Sequence, residues 1–482
     1  MSEPEEPQSR RSATDATSDR WGIFRNHQLA WGIAAGAVAF LLLGTGALFL
    51  GASNATSEPA AIETPTGSPT PEVPQRAVPA VIPTATPIQT CSVSALAKDD
   101  RLATFYGYVT NVDTGEVMFS RDGSTPERTG SVMKLLTASA ALQVLGPDYR
   151  LTTAVYAGTE PGSIVIVGGG DPTLSRTAPG TQSVYPDAPK LSDLAAQVIA
   201  TLGPGVPVTS IVLDSSYWDS GDKWDSTWER TEQTTGYLSE TTALQVDGDR
   251  SDPTKTVSPR STDPVQAAGV AFAAALGVPG VPLSLGTVTP GAQQLGAVQS
   301  QPISSLINTM LLTSDGSLAE SLGRVTSRVA GSDGTRASLQ SVIPAQLKNL
   351  GLDTSKLAIH DASGLSTENA VSPKFITQLI TLMLEGKNNL NYVYNSLSIS
   401  GESGSLTSRF AGANVIAKGA VFAKTGWIDT EYSLAGLVAA ADGSRLAFAF
   451  YAIGDSVKDN AKAALDTLTT GIYSCGNNLS NK

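Results

Sequence analysis

The chain has few of the residues on which many enzymes depend. Among its 482 residues there are two histidines, His27 and His360, and two cysteines, Cys91 and Cys475. With one histidine in the body of the chain and no Cys-x-x-Cys pair, we expect neither a metal site nor another cofactor. A nucleophile activated by histidine would have a single possible base.

Positive charge is also scarce. Lysine and arginine number 32 against 44 aspartates and glutamates, which gives a net charge of -12 and a pI near 4.8. A chain with this balance and no basic, aromatic-rich cluster repels polyanions, so nucleic acid is excluded as the main partner. A hydrophobic content of 41% over this length instead predicts two or three folded units with a sizeable core.

One stretch, residues 29–50, carries no charge at all. As a helix it would span roughly 33 Å, about the thickness of a bilayer core. Four arginines precede it and the next basic residue is Arg76, so the positive-inside rule places residues 1–28 in the cytoplasm as a polar tail. The alternative is a cleaved signal peptide, which the length of the run and the lack of a nearby A-x-A site disfavour. We therefore predict a single-pass protein of the cell membrane with an extracytoplasmic body.

Residues 51–90 are rich in proline, threonine and alanine and have no apolar periodicity. This composition favours an extended spacer that could reach on the order of 100 Å from the membrane. It suits a body that must reach an insoluble substrate, and a passive linker explains it equally well.

Cys91 and Cys475 bracket the rest of the chain. Oxidising conditions favour a disulfide between them, and the alternative is two free thiols.

Strand and helix patterns occur at both ends of the body. Thr104–Val109 and Val117–Phe119 predict one hairpin, and Tyr432–Ala440 with Arg445–Ile453 predict another. The segment 131–145 is apolar on nearly all sides and predicts a buried central helix. A closing helix is predicted by apolar residues at helical spacing, namely Ala461, Ala464, Leu465, Leu468 and Ile472. These elements predict an α+β fold in which helices cover an antiparallel sheet.

The stretch 152–295 differs from its surroundings. Short strand-like runs at Ser163–Val167 and Ser210–Leu213 are separated by loops rich in aspartate, serine, glycine and proline. We predict an inserted domain here, which divides the main domain into a first part, 91–151, and a second part, 296–482.

Ser131 and Lys134 form one of two Ser-x-x-Lys matches. On a helix this spacing places the hydroxyl and the amine on one face, where lysine can replace histidine as the base. Ser131 also follows a glycine at a helix start, where free backbone N–H groups favour a developing oxyanion. The other match, Ser220 to Lys223, lies in a polar stretch that cannot begin an apolar helix.

A Lys-Thr-Gly motif follows far downstream, at Lys424, Thr425 and Gly426. It lies just before a predicted strand, where a sheet edge could bind an extended peptide, and its other interpretation is an ordinary strand-end turn.

His360 has Asp361 and Ser363 beside it, so a Ser-His-Asp site is a further alternative. Ser363 lacks the context of a nucleophile elbow, and a loop histidine explains the pattern better.

Several longer stretches carry a resemblance to a known family. They cover nearly all of residues 95–475 in the expected order and are Gly168–Leu174, Ala243–Gly248, Asp361–Ser366, Val371–Pro373, Gly404–Phe410, Ala423–Gly426 and Ser433–Gly436. With the two short motifs, the chain resembles the low-molecular-mass penicillin-binding proteins that act as D-alanyl-D-alanine carboxypeptidases and endopeptidases. The resemblance implies a transpeptidase/β-lactamase-like domain interrupted by an inserted domain between its first two motifs.

The resemblance also implies roles for individual residues. Ser131 would be the nucleophile and neutral Lys134 its general base, with a pKa lowered by burial and by a second cation such as Lys424. Ser314 would relay the proton to the leaving amine. Lys424 and Thr425 would hold the terminal carboxylate of the substrate, and Gly426 and Trp427 would also contribute to substrate binding. The backbone N–H groups of Ser131 and Trp427 would form the oxyanion hole.

The implied partners are peptidoglycan stem peptides, with β-lactams as inhibitors. Acylation would release D-alanine or a cross-linked stem peptide, and water would then free the enzyme. A β-lactamase is a weaker alternative, since nothing in the sequence identifies a fast deacylating base.

One position departs from the family pattern. The family has Ser-x-Asn followed by a short stretch that ends in Ala-Glu, and here Gly316 stands in place of the asparagine. Loss of a hydrogen bond to a charged group costs roughly 1.5–3 kcal/mol, or about 10- to 150-fold in rate. Gly316 therefore motivates a second hypothesis, a wall-binding or scaffold protein whose catalysis has lapsed.

Overall fold

Two sheets and the helices around them make up the structure, a computed structural model that describes residues 89–455, 457 and 460–481. The predicted cytoplasmic tail, the apolar run 29–50 and all but the end of the spacer lie outside the described residues. Within the described ranges, no helix is both long and apolar enough to cross a bilayer.

The first sheet has six strands, and every neighbouring pair is antiparallel. In spatial order the strands are β3 (Val117–Arg121), β2 (Thr104–Asn111), β12 (Arg445–Ile453), β11 (Glu431–Ala439), β10 (Val421–Ile428) and β9 (Ser398–Ile399). The two central strands, β11 and β12, are apolar along nearly their whole length because helices cover both faces of the sheet. Both predicted hairpins are confirmed by these pairings.

The second sheet is mixed and lies within residues 152–299. Its order is β7 (Leu283–Leu285), β6 (Ser210–Asp214), β5 (Ser163–Gly168), β4 (Thr152–Ala157) and β8 (Gln294–Gln299). The β5–β6 and β6–β7 pairs are parallel and the other two are antiparallel. The described residues belong to one compact unit that spans 85–482, so the proposed domain boundaries stay a prediction.

Ten α-helices are described. They are α1 (Lys134–Leu145), α2 (Leu191–Leu202), α3 (Thr231–Thr235), α4 (Pro264–Ala275), α5 (Ile303–Thr313), α6 (Gly316–Val329), α7 (Arg336–Asn349), α8 (Pro373–Glu385), α9 (Asn391–Tyr394) and α10 (Asn460–Cys475). Local signals explain several starts; for example, Ser372 caps α8 by accepting from the N–H of Phe375, and Pro373 occupies the first helical position.

The hydrophobic core has three parts. The largest surrounds α1, whose residues 134–142 are all buried, and includes α5, α6, α7 and α8 on one face of the first sheet. A second part lies on the opposite face, under α10, and contains all five apolar residues predicted for the closing helix. The third joins the second sheet to α2 and α4. The predicted central helix is therefore confirmed as the element around which the active region packs.

The two ends of the body are joined. Cys91 and Cys475 form a disulfide across 384 positions of sequence, as predicted. Two short parallel strands, β1 (Cys91–Ser92) and β13 (Leu479–Ser480), lie beside it.

Candidate active site

Ser131 lies in a single 3-10 turn, Gly130–Met133, that leads directly into α1. The α-helix thus begins at Lys134, three residues later than the apolar pattern predicts. Gly130 has φ +48°, and a Cβ there would collide with the carboxyl group of Glu431 and lie 2.8 Å from the backbone nitrogen of Trp427. Only glycine fits this close approach, which places Ser131 at the mouth of the cleft.

Lys134 contacts the predicted nucleophile directly. Its Nζ lies 2.8 Å from Ser131 Oγ and also donates to the backbone carbonyl of Ser363 at 2.7 Å. The side chain is 1% exposed. Burial lowers the pKa of Lys134 to about 8, against the opposing effect of four carboxylates, those of Asp361, Asp315, Glu320 and Glu232. Roughly a tenth of Lys134 is therefore neutral at pH 7 and the fraction rises with pH, so the amine can serve as a general base.

Ser314 occupies the joint between α5 and α6 with φ +58°, a left-handed conformation that is uncommon for serine. Its Oγ lies 2.9 Å from Lys424 Nζ. The next residue, Asp315, caps α6 and forms a buried ion pair with Arg250 at 2.8 Å, while Tyr185 donates to it at 3.0 Å. Residues from the 152–299 region therefore fix the backbone that presents Ser314.

Gly316 opens α6 and lines the cleft. A Cβ at this position would lie 3.1 Å from Cδ1 of Leu238, a fully buried side chain, and 3.7 Å from Cδ1 of Leu365. Apolar side chains thus border the place where the family's asparagine would begin. The Ser363 carbonyl, which accepts from Lys134, supplies the lysine with a second oxygen partner in the absence of that amide.

Lys424, Thr425 and Gly426 precede β11, as predicted, but they also lie inside a strand of their own, β10, which the sequence pattern does not predict. Lys424 is fully buried and donates to Ser314 Oγ and to the Thr425 carbonyl, at 2.9 and 2.8 Å. Burial lowers its pKa well below the usual value, and the charge of Lys134 lowers it further. The sequence predicts that Lys424 helps to lower the pKa of Lys134; in the structure burial accounts for that shift, and the lysine that lowers its neighbour's pKa is Lys134.

The outer edge of β10 is open where the motif lies. The short strand β9 pairs only with Phe422 and Ala423, and no other described strand pairs with this edge beyond Ala423. Thr425 Oγ1 lies 2.8 Å from Ser405 Oγ and borders the cleft. An extended peptide could therefore add to this edge with its terminus near Thr425.

The two amides predicted for the oxyanion hole come from adjoining segments. Gly426 packs so closely against the turn that a Cβ on it would lie 3.0 Å from the Ser131 nitrogen. Ser433 Oγ donates to the Thr129 carbonyl at 2.7 Å and ties β11 to the same turn. The Trp427 side chain is 41% exposed and packs on Tyr432 with ring centroids 6.2 Å apart, so it forms a wall of the cleft.

The alternative histidine site does not assemble. The His360 ring is 44% exposed and pairs with Glu368 at 3.0 Å. Asp361 accepts instead from Trp228, Asn369 and backbone N–H groups, and the Ser363 hydroxyl is buried without a hydrogen-bond partner. Nor do the described residues contain a group of ligands that could hold a metal ion.

Three buried or partly buried acids near the lysines were not predicted. Glu320 accepts from the N–H groups of Ala362 and Ser363 and so holds the loop whose carbonyl contacts Lys134. Glu232 lines the cleft, and Glu431 lies behind Gly130. The sequence signal for Glu320 is the Ala-Glu that ends the second motif. The only sequence signal for Glu431 is its own position, because it is an acidic residue at the start of an otherwise apolar strand.

The cleft that contains these groups has a volume of about 360 Å³. Six of the seven predicted catalytic and substrate-binding residues line it, and the seventh, Lys424, is buried beneath it. The site combines a hydroxyl paired with a buried amine, two neighbouring segments that supply backbone N–H groups, and a lysine beside hydroxyl groups. This combination is suited to acyl transfer from a substrate with a carboxylate.

Comparison with known proteins is consistent with this chemistry. Residues 89–257 and 240–472 match the D-Ala-D-Ala carboxypeptidase 3 (S13) family. The chain is 33% identical to Carboxypeptidase DacB of Mycolicibacterium smegmatis over 465 residues, which cover 95% of this chain and 98% of that protein. It is 31% identical to a carboxypeptidase of Mycobacterium tuberculosis, with 80% and 84% covered.

The fold is similar to that of a solved structure. Penicillin binding protein 4 from Haemophilus influenzae superimposes with a TM-score of 0.65 at 20% identity, over 79% of this chain and 98% of that one. A second structure of the same protein, complexed with a β-lactam, has a TM-score of 0.59 at 19% identity, with the same coverage.

Proposed function

The chain belongs to the D-Ala-D-Ala carboxypeptidase 3 (S13) family of low-molecular-mass penicillin-binding proteins, and we propose that it cleaves peptidoglycan stem peptides through an acyl-enzyme on Ser131. It is a hydrolase of the D-Ala-D-Ala carboxypeptidase class. The observation that carries the proposed mechanism is the 2.8 Å contact between Ser131 Oγ and the buried Nζ of Lys134.

The proposed acylation begins with neutral Lys134, which takes the proton from Ser131 as Oγ attacks the penultimate D-alanyl carbonyl. The oxyanion forms against the N–H groups of Ser131 and Trp427. Collapse breaks the peptide C–N bond, and Ser314 passes a proton to the leaving amine. Ser314 is suited to this step because it contacts Lys424, from which its hydroxyl proton can be replaced.

The products follow from the substrate. A carboxypeptidase cycle releases D-alanine, and an endopeptidase cycle releases a cross-linked stem peptide. In each cycle water then attacks the ester and gives up a proton through Ser314 to Lys424, while Lys134 returns its proton to Oγ as the shortened peptide leaves. Thr425 would hold the terminal carboxylate, with Lys424 buried beneath it, and the open edge of β10 would pair with the peptide backbone.

Intact-mass measurement of the full chain in detergent, with and without benzylpenicillin, tests this mechanism. We expect an increase equal to one penicillin on Ser131 and none in the Ser131→Ala variant. The absence of an adduct at high penicillin concentration would contradict the proposal. β-Lactams should correspondingly inhibit the peptidase.

A second candidate function is a wall-binding or scaffold protein with lapsed catalysis, which Gly316 favours. The retained Ser131–Lys134 and Ser314–Lys424 contacts argue against it. A turnover assay on a D-Ala-D-Ala pentapeptide separates the two, since a lapsed protein binds the peptide without releasing D-alanine.

We also propose that residues 29–50 anchor the protein in the cell membrane with its body outside the cytoplasm. The charge asymmetry around that run and the disulfide support this arrangement. Protease treatment of intact cells tests it: the body should be digested while an N-terminal tag survives. Recovery of the body in the soluble fraction with its N-terminus at a cleavage site would favour a signal peptide.

A further inference from the structure

Two oxygens accept hydrogen bonds from Lys134 Nζ among the described residues, Ser131 Oγ and the Ser363 carbonyl. A carbonyl oxygen can only accept, so an N–H of the lysine must occupy the contact with Ser363. A neutral amine has two N–H groups and one lone pair. With one N–H held by Ser363, the lone pair can face Ser131 Oγ and take its proton. The direction of the Ser363 carbonyl therefore helps to set the orientation of the base.

Asp361 fixes that direction from the other side of the same peptide group. The Ser363 carbonyl belongs to the peptide bond between Ser363 and Gly364, and the Gly364 N–H donates to Asp361 Oδ1 at 2.7 Å. Because a trans peptide group is planar, its N–H and C=O point in opposite directions. The carboxyl group that holds the N–H therefore directs the carbonyl away from itself and toward Lys134, whose Nζ lies 2.7 Å from the oxygen.

The preceding peptide group is held in the same way. The Ser363 N–H donates to Glu320 Oε1 at 2.8 Å, and the Ala362 carbonyl accepts from Thr137 Oγ1 at 2.7 Å. Thr137 lies three residues after Lys134 on α1, so both side chains project from one face of that helix. Two consecutive peptide groups thus connect two buried carboxyl groups to two donors on α1, and the loop has little freedom to turn its carbonyls away.

The loop also packs directly on the turn that carries the nucleophile. Gly364 has φ +90°, and a Cβ there would collide with the Gly130 carbonyl and lie 3.0 Å from Met133 Cβ. Only glycine fits this close approach. The peptide group that contacts Lys134 therefore lies against the same turn as Ser131.

Trp228, from the predicted inserted domain, completes the set of donors to Asp361. Its side chain is 3% exposed, and its Nε1–H donates to Asp361 Oδ2 at 2.8 Å. The Ser366 N–H donates to the same oxygen at 2.6 Å, and Asn369 Nδ2 donates to Oδ1 at 2.8 Å. With the Gly364 N–H, each oxygen of Asp361 thus accepts twice. Trp228 is the only one of these four donors that comes from another part of the chain.

We propose that Asp361 is a positioning residue for the general base and that Trp228 holds it in that role, so that the predicted inserted domain orients Lys134 through the loop. This inference rests on the proposed acylation of Ser131. It also gives a physical reason why the chain can use Lys134 with Gly316 in place of the family's asparagine. A backbone carbonyl fixed by Asp361 gives the amine an oxygen partner without the amide.

Stopped-flow acylation by a fluorescent penicillin, measured on the full chain in detergent, tests the inference with Trp228→Phe. This change removes the indole N–H and leaves an aromatic ring beside the loop. We expect the acylation rate constant to fall about tenfold, because Asp361 loses one of its four donors. The apparent dissociation constant of the penicillin and the final amount of adduct per chain should stay within about twofold of the wild type. A folding defect would instead reduce the amount of adduct and leave the rate constant unchanged, which would contradict the inference.

Trp218→Phe is the matched control. Trp218 is also 3% exposed and also lies in the predicted inserted domain, but its Nε1–H donates to the Thr241 carbonyl, at 3.4 Å. We expect its acylation rate constant to stay within about twofold of the wild type. A tenfold fall in this variant as well would indicate a general loss of packing and would overturn the inference.

A double variant tests whether Trp228 acts through Asp361. Asp361→Asn places an NH2 group where two donors now meet one oxygen, and we expect its rate constant to fall about a hundredfold. In combination with Trp228→Phe the loss should be smaller than the product of the two single losses, because the amide no longer opposes the indole N–H. An unchanged rate constant in Trp228→Phe, or losses that multiply in the double variant, would show the inference to be wrong. Absence of acylation in the wild type would instead contradict the proposed function itself.

Discussion

Replacement of Gly316 by asparagine restores the amide that the family pattern expects, and its effect follows from the contacts around it. If the missing amide were essential, its return would give about 10- to 150-fold in acylation rate, from roughly 1.5–3 kcal/mol. Lys134 already donates to the Ser363 carbonyl at 2.7 Å, so its amine has an oxygen partner without the amide. We therefore expect Gly316→Asn to raise the acylation rate less than about tenfold, or by under about 1.4 kcal/mol.

Packing limits the gain further. The new Cβ would lie 3.1 Å from Leu238 Cδ1, so that buried leucine must move by a few tenths of an ångström. Overpacking of this kind costs about 1–3 kcal/mol when the neighbour cannot adjust. Gly316→Ala adds the same Cβ without the amide and isolates this cost in a thermal unfolding measurement.

Stopped-flow acylation with a fluorescent penicillin measures the rate in the wild type, Gly316→Ala, Gly316→Asn and Gly316→Asn with Leu238→Ala. The double variant gives the asparagine room and sets the upper limit of the gain. A hundredfold or greater rise in either asparagine variant would refute the reasoning, because the Ser363 carbonyl would then be no substitute. A barely detectable wild-type rate together with such a rise would favour lapsed catalysis.

Three further predictions concern the base, the buried ion pair and the disulfide. Lys134→Met should lower acylation by at least about a thousandfold while far-UV circular dichroism stays unchanged, since no other described amine contacts Ser131 Oγ. The pKa of Asp315 is about 2 in the folded state because Arg250 and other favourable contacts outweigh its burial, which by itself raises that pKa. Ionised Asp315 therefore contributes about 2 kcal/mol of stability that is present above pH 3.8 and lost as the pH falls toward 2. The free energy of unfolding in urea should fall with pH across this range, and Asp315→Asn should remove that dependence. Cys91→Ser should lower the free energy of unfolding by about 2–4 kcal/mol, and an unchanged melting temperature would contradict a stabilising role for the disulfide.

Elements with strong local patterns could be predicted from the sequence. The two hairpins and the helix that follows Ser131 depend on apolar spacing and turn residues that lie close together in the chain. The strand that contains Lys424 was missed because the lysine and the glycine of Lys-Thr-Gly have low strand propensity, and pairing with β11 decides the structure of this segment.

The rest of the candidate site depends on contacts that no local pattern reveals. Leu238 meets Gly316, and Arg250 meets Asp315 across 65 positions. Glu431 was missed for another reason, since an acidic residue at a strand end normally indicates an exposed position. The short motifs identify the reacting groups, while the groups that tune them come from distant parts of the chain.

The contact between Arg250 and Asp315 has a consequence for shortening this protein. Ser314 holds a left-handed backbone conformation, and the residue after it is held by Arg250 and Tyr185 from the region between the first two motifs. That region cannot be trimmed as a detachable accessory, because its removal would release the joint that presents Ser314 to Lys424. A shortened enzyme designed from this chain would have to keep the contacts of Arg250 and Tyr185 with Asp315, or replace them, before its substrate choice could be altered.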